Sequence, residues 1–412
     1  MYRKSLRIAC GLCLLSTFWS VIRLFDVSIF EWLTALVVPF ALLHSPPEEG
    51  VPIGSFKLAG AGLAILALAG IISSQSSFDA IEHVLKVSKL VGAFGLMLGL
   101  AYILSNRKIF SLTEVLYLLC ISAAVCSFVA ILQGQFGLLT GIVPTDAGKS
   151  LESWSRMTGL AEHPIEAGVV SAYGFVIGLG LGIIKRRWRL LFLLIALDAY
   201  AMRYSASLTA VFAFLVASVI LCVFTKKYKI LFSGATLGAL AITAVLVSSA
   251  STGGLLANRL VSLYASQGNY RTVQTREMQL GKVLDLIDAS TLAVGNGYST
   301  ADLPYRMEIH NGFLASVFHF GFMGLISQCL LIAIFVGKLR NTGPRAAKGI
   351  LLGCIVVFAF AYLSGPPQAR PSLWAPLLFL GAFLGAPTWT DVRASSSYKL
   401  SRVNLSPTVR RS

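Results

Sequence analysis

The stretch MEIHNGFLASVFHFGFMGLI, Met307–Ile326, decides how the whole chain is read. From 311 to 337 the sequence carries no Asp, Glu, Lys or Arg. A run of that kind suits lipid, because a spanning helix needs about 20 mostly apolar residues. Asn311 is a favourable helix N-cap, which starts the helix there and leaves His310 as the last residue in water. A helix entering a bilayer needs neither residue for solubility, so the pair His310–Asn311 marks a boundary with something to do.

The rest of the chain has the same character. Of its 412 residues 56% are hydrophobic and 13% charged, where a soluble domain carries roughly 25% charged residues. The formal net charge of +16 could suggest nucleic acid. The basic residues, however, sit in short clusters between apolar runs, the pattern of topology signals. All seven cysteines lie inside apolar runs without a metal or redox spacing and read as packing residues. The N-terminus, MYRKSLRIACGLCLLSTFWSVI, lacks a clear small-residue cleavage site and reads as a retained first helix.

Twelve candidate spans follow, near 7–23, 27–44, 55–74, 88–105, 112–133, 165–184, 187–202, 205–224, 229–249, 311–337, 347–364 and 371–387. The expected fold is all-α and polytopic: a single transmembrane domain over 1–390, then a basic, disordered cytoplasmic tail over 391–412. YRKSLR, SNRK, KRRWR, TKKYK, GKLRNTGPRAAK and the tail all fall on the side of the termini, which makes that side cytoplasmic. Only the acidic connection SPPEEG breaks the trend. Two long segments then lie outside, 134–164 and 250–310, the second between spans nine and ten. Long connections in compact architectures are usually functional. Within the second, REMQLGKVLDLIDAS is amphipathic. It reads either as a helix on the membrane face or as one packed on the tops of the spans.

The outer side collects an unusual polar set. Arg156, Glu162 and His163 precede the sixth span, and Arg203 lies between the seventh and eighth. Arg259, Arg271, Arg276, Arg306, Glu308 and His310 come from the long outer segment. Arginines are scarce outside under the positive-inside rule, so those that persist are candidates for anion recognition. From 250 to 310 acids and bases balance, and several are solvated pairs worth little. Arg156 and Arg203 have no carboxylate immediately beside them in sequence.

The guanidinium fork suits a diphosphate and stays charged at every relevant pH. Such forks would stabilise the charge that builds as a diphosphate leaves a sugar, without a metal. His310 reads as a base or orienting group for an attacking hydroxyl, or as an interfacial anchor with Asn311 merely its cap. His319, inside the span, reads as functional or as a hydrogen-bonded core residue.

These residues resemble a known family. GNGYSTADLPYRMEIHNGFLASVFHFGFMGL is similar to the signature of the O-antigen ligase and polysaccharide polymerase superfamily. That signature has a Gly-x-Gly turn (here Gly295 and Gly297), a His-Asn-x-Phe/Tyr-Leu helix start (His310 to Leu314) and a Gly-x-x-Gly (Gly321, Gly324). RMTGLAEHPIEAG resembles its Arg-x-x-Gly followed by a His/Asn-Pro-Asn turn, MRYSASLTA its Ser-Arg-Gly-Ala junction, and REMQLGKVLDLI its outer-loop Arg before a helix. Ile165, Met202 and His319 depart from the pattern.

The resemblance implies a GT-C-like fold of the bacterial inner membrane and a metal-independent, inverting glycosyltransferase without cofactor. Its donor would be an undecaprenyl-diphosphate-linked glycan. Its acceptor would be a sugar hydroxyl of another lipid-linked glycan (polymerase) or of lipid A core (ligase). Arg156, Arg203 and Arg276 would hold the diphosphate, with Arg271 and Arg306 second in line. His310 would serve the acceptor, supported by Asn311, His163, Glu308, Gly295 and Gly297. A transporter or flippase of the same glycan is the competing class.

Overall fold

The computed structural model describes residues 2–24, 27–44, 53–77, 79–105, 109–139, 156–161, 163–185, 188–205, 207–230, 271–298, 309, 311–339, 345–364 and 373–384. The side chains of 2, 53–55, 188–189, 271–276, 279 and 384 fall outside that description. The order is α1 (Tyr2–Leu15), β1 (Arg23–Leu24), β2 (Val27–Ser28), α2 (Ile29–His44), α3 (Ile53–Ser73), α4 (Ala80–Ser105) and α5 (Leu112–Phe136). Then come α6 (Pro164–Lys185), α7 (Trp188–Ser205), α8 (Leu208–Phe224), α9 (Arg271–Asp285) and α10 (Ala289–Val294). The last are α11 (Gly312–Lys338), α12 (Arg345–Ser364) and α13 (Ala375–Leu384).

This is an all-α membrane protein. Among the described residues six helices are long and apolar enough to cross a bilayer: α3, α4, α5, α6, α11 and α12. The β1–β2 ribbon pairs Arg23 with Ser28 and Leu24 with Val27, and turns the chain between α1 and α2. The expected span 229–249 lies outside the described residues beyond position 230.

Several boundaries differ from expectation, each for a local reason. The first helix ends at Leu15, not near 23, and the ribbon follows it. Helix α4 starts at Ala80 instead of 88, because Asp79 caps it by accepting the Glu82 N–H at 2.9 Å. Ser111 and Glu114 form a reciprocal capping box at the start of α5.

Contacts between helix ends define two ends of the bundle. At the lower end Arg7 of α1 pairs with Glu114 of α5, and Gly349 of α12 meets Leu221 of α8. At the upper end Val21 donates its N–H to the Leu160 carbonyl at 3.0 Å, and Gly312 of α11 packs on Tyr362 of α12.

Lipid is as apolar as leucine, so helices in a bilayer associate by close packing and hydrogen bonds more than by the hydrophobic effect. Small residues mark the seams accordingly. Gly168, Gly174 and Gly178 of α6 face Ser205, Asp198 and Ile195 of α7, where any Cβ would collide. Gly62 of α3 lets Ser327 of α11 donate to its carbonyl at 2.6 Å. At the centre Trp374 is fully buried against Phe94, Phe358 and Tyr362, with ring centroids 5.2, 4.5 and 6.3 Å away.

Candidate functional site at the upper end

Two polar constructions occupy the upper end. The first is an arginine seam where the 156–161 segment meets the α7–α8 junction. Arg156 donates from Nε to the Ser205 carbonyl at 2.9 Å, and the Met157 N–H donates to the Tyr204 carbonyl at 3.1 Å. These bonds serve carbonyls that α7 leaves without helical partners at its C-terminal end. Gly159 fixes the segment from below. It has φ +58, its N–H donates to Gln133 Oε1 at 2.9 Å, and a Cβ there would strike the Cys126 carbonyl. That is a physical reason for glycine three residues after Arg156.

The other side of the seam is equally fixed. The Tyr204 hydroxyl donates to Gln135 Oε1, and its ring covers Gly134, where no Cβ would fit. Ser207 caps α8 through the Ala210 N–H at 3.3 Å. Arg203 is exposed at this junction. His163 stands at the start of α6, where its Nδ1 accepts the Ile165 N–H at 3.1 Å. The sequence candidates Arg156, Arg203 and His163 therefore meet at one end of α5–α8.

The second construction is a histidine clamp over α3, α4 and α11. Helix α11 is not continuous: Gly321 has φ +63 and ψ −161, which breaks the hydrogen-bond ladder. The break leaves carbonyls of the preceding turn without their usual partners, a cost of several kcal/mol each in lipid. The GNG loop supplies the replacement. Asn296 N–H donates to the Phe318 carbonyl at 2.7 Å and Gly297 N–H to the His319 carbonyl at 3.1 Å. Gly295 and Gly297 hold φ +78 and +84. The backbones come so close that a Cβ on Gly295 would lie 2.6 Å from the His319 carbonyl oxygen.

Two buried histidines lock the clamp. His319 Nδ1 donates to the Gly297 carbonyl at 2.7 Å, and its ring lies 4.8 Å from that of Tyr298. This is a hydrogen-bonded core histidine. His83 accepts the Tyr298 N–H on Nδ1 and donates from Nε2 to the Gly70 carbonyl at 2.7 Å, which assigns its tautomer. Tyr298 stacks on Phe320 at 5.7 Å, with Lys86 Nζ 5.8 Å from its ring centre. Ser76 donates to the Gly295 carbonyl.

Asn311 caps α11 by accepting the Phe313 and Leu314 N–H groups at 3.0 and 3.1 Å. Helix α9 lies across this end, burying Val283 against Ile309, Ala315 and Phe318. Its Met278, Leu280 and Leu284 remain exposed, and among the described residues Val283 alone of this helix is buried in that cluster. Asp288 caps α10, and the Thr291 N–H, followed by the Ser290 hydroxyl, draws its carboxyl pKa down to about 2.

The remaining candidates divide by position. Arg271 and Arg276 lie on α9, their side chains outside the described residues. Arg306, Glu308 and His310 lie outside the described residues altogether. Sequence reasoning missed His83, the break at Gly321 and the buried Asp198 of α7; only Asp198 left a plain signal, a lone acid in an apolar run. Among the described residues no three His, Cys, Asp or Glu side chains gather as a metal set. No family model matches the chain, and no curated protein matches it.

Proposed function

We propose that the chain is a metal-independent, inverting glycosyltransferase of the bacterial inner membrane, with twelve spans, a GT-C-like fold and both termini cytoplasmic. It transfers a glycan from an undecaprenyl-diphosphate donor to a sugar hydroxyl at the periplasmic face. Polymerisation of exopolysaccharide or O-antigen repeat units is favoured over ligation to lipid A core. The supporting observation is the seam: hydrogen bonds from Arg156 and Met157 to the α7–α8 junction bring Arg156 and Arg203 to one end of one helix group.

In this reading the acceptor oxygen attacks the anomeric carbon, and the electron pair of the breaking bond passes to the diphosphate. Arg156, Arg203 and Arg276 stabilise the charge that develops there, with Arg271 and Arg306 beside them. His310 orients the acceptor or takes its proton. Asn311 fixes the helix start behind it, and Glu308 and His163 support the mouth. Gly295 and Gly297 act at one remove, by holding the break in α11.

The test is polymer formation by purified protein with a lipid-linked repeat unit. Arg203→Ala lowers the rate about 10²-fold, the scale of losing one preorganised charge donor. Arg203→Lys keeps the charge without the fork and restores only part of it. Full-length polymer from both Arg156→Ala and Arg203→Ala proteins would sink the proposal.

A transporter of the same glycan is a second reading, favoured by the broken α11 and the buried Asp198, both features of transporter bundles. Reconstitution separates the two: new glycosidic bonds mean transferase, and movement without bond formation means transporter.

A further inference from the structure

The α5–α6–α7 interface holds a carboxyl group that the transferase reading does not use. Asp198 is fully buried. Its Oδ1 lies 2.7 Å from Ser127 Oγ of α5, which lies 2.8 Å from Ser171 Oγ of α6. Ser171 Oγ in turn donates to the Ala167 carbonyl at 3.0 Å. Asp198 Oδ2 has no hydrogen-bond partner and rests against Gly174, where a Cβ could not fit. Among the described residues no Lys, Arg or His pairs with this carboxyl. Among the described residues Cys120 and Cys126 of α5 lie within electrostatic reach of this carboxyl, Cys126 within that of Glu166 of α6 as well. The further titratable groups on these helices include Tyr173 of α6 and Tyr204 of α7, the latter packed on Gly134 of α5.

Counting hydrogens decides the state. Three contacts join the carboxyl, the two hydroxyls and the Ala167 carbonyl, but the hydroxyls bring two hydrogens. All three contacts are hydrogen bonds only if the third hydrogen sits on Asp198. The direction is then fixed: Asp198 donates to Ser127, Ser127 to Ser171, and Ser171 to Ala167. A carboxylate would turn the Ser127 hydrogen toward Asp198, so that either the Ser127–Ser171 contact is left without a hydrogen or Ser171 leaves Ala167, and Asp198 Oδ2 would share negative charge without a donor. An unpaired charge so placed is prohibitively costly in an apolar bundle.

We propose that Asp198 is a proton-binding site, a neutral carboxylic acid heading a one-way chain of hydroxyls that ends in the first turn of α6. Ser205, whose carbonyl holds Arg156, is seven residues further along α7, about 10 Å at 1.5 Å per residue. Loss of the proton would rearrange the bonds joining three helices just beneath the arginine seam. The site stands whether the chain is a transferase or a transporter.

The test is infrared spectroscopy of the purified protein in lipid at neutral pH. The expected result is a protonated-carboxyl stretch that moves to lower frequency when aspartate is isotopically labelled at its side-chain carboxyl. It disappears in Asp198→Asn, persists in Glu166→Gln, and shifts in Ser127→Ala, which removes its acceptor. If Asp198→Asn does not fold, the labelled wild-type protein and Ser127→Ala still decide. A spectrum without an aspartate-derived band overturns the proposal, as does a band unmoved by Ser127→Ala. A melting temperature raised by sodium or potassium in the wild type alone would replace the proton with a metal cation.

Discussion

The arginine seam and the histidine clamp share one end of the bundle and are built on opposite plans. In the seam, side chains serve helix-end carbonyls while Arg203 stays exposed. In the clamp, the buried imidazoles and backbone amides are consumed internally: His83, His319, Asn296 and Gly297 all bond within the fold. A group that spends its hydrogen bonds inside has none to give a ligand. The clamp is therefore the more rigid of the two, while the seam keeps the Arg203 side chain exposed.

The sharpest way to break this contrast is Gly295→Ala. A residue held at φ +78 costs about 1–3 kcal/mol. Forcing a methyl against the His319 carbonyl adds a comparable overpacking penalty, for a total of roughly 3 kcal/mol. Thermal unfolding in detergent measures it, and an unchanged midpoint would show that the GNG loop does not hold the break. Next comes His83→Phe, which keeps a ring but strands the Tyr298 N–H and is expected to cost ~2 kcal/mol by the same measurement.

Asn311→Ala removes a cap with two bonds and is expected to cost ~1 kcal/mol. A larger loss would extend the clamp to the helix mouth. Arg203→Ala is expected to stay within ~0.5 kcal/mol of wild type, as an exposed side chain should. A large loss there would make the seam structural and dissolve the comparison.

A pH-dependent effect belongs to Asp288. Its folded-state pKa is depressed, to about 2 from 3.8, so its cap is at full strength above pH 3.8 and fades as pH falls through 2. The stability gap between wild type and Asp288→Ala should narrow over that interval. A gap constant with pH would mean that the charge of the cap contributes nothing.

What the sequence disclosed and what it concealed follow from the same physics. Apolar runs of spanning length announced α3, α5, α6 and α12, because bulk hydropathy is a sum over many residues and survives local detail. The Asn311 cap was legible for the opposite reason, being a contact between near neighbours. The break at Gly321 was concealed, since glycine barely perturbs hydropathy and its partners lie 24 to 26 residues upstream, at Gly297 and Gly295. The apolar run from 88 leaves His83 in a connection, and it is the Asp79 cap that draws the helix start back to Ala80 and brings His83 into α4. Arg156 and Arg203 were marked as unusual one by one, but only the fold puts them on one seam.

The break in α11 also changes how thick a membrane this helix fits. Twenty-seven residues from Gly312 to Lys338 would make a rod of about 40 Å, well beyond a hydrocarbon layer of about 30 Å. A straight helix of that length must tilt steeply or thicken the bilayer around it. With the turn at Gly321, only the 17 residues of 322–338 need run as one rod, about 26 Å long. Hydrophobic mismatch can thereby be taken up by the chain itself, through a bend between the pieces 312–320 and 322–338.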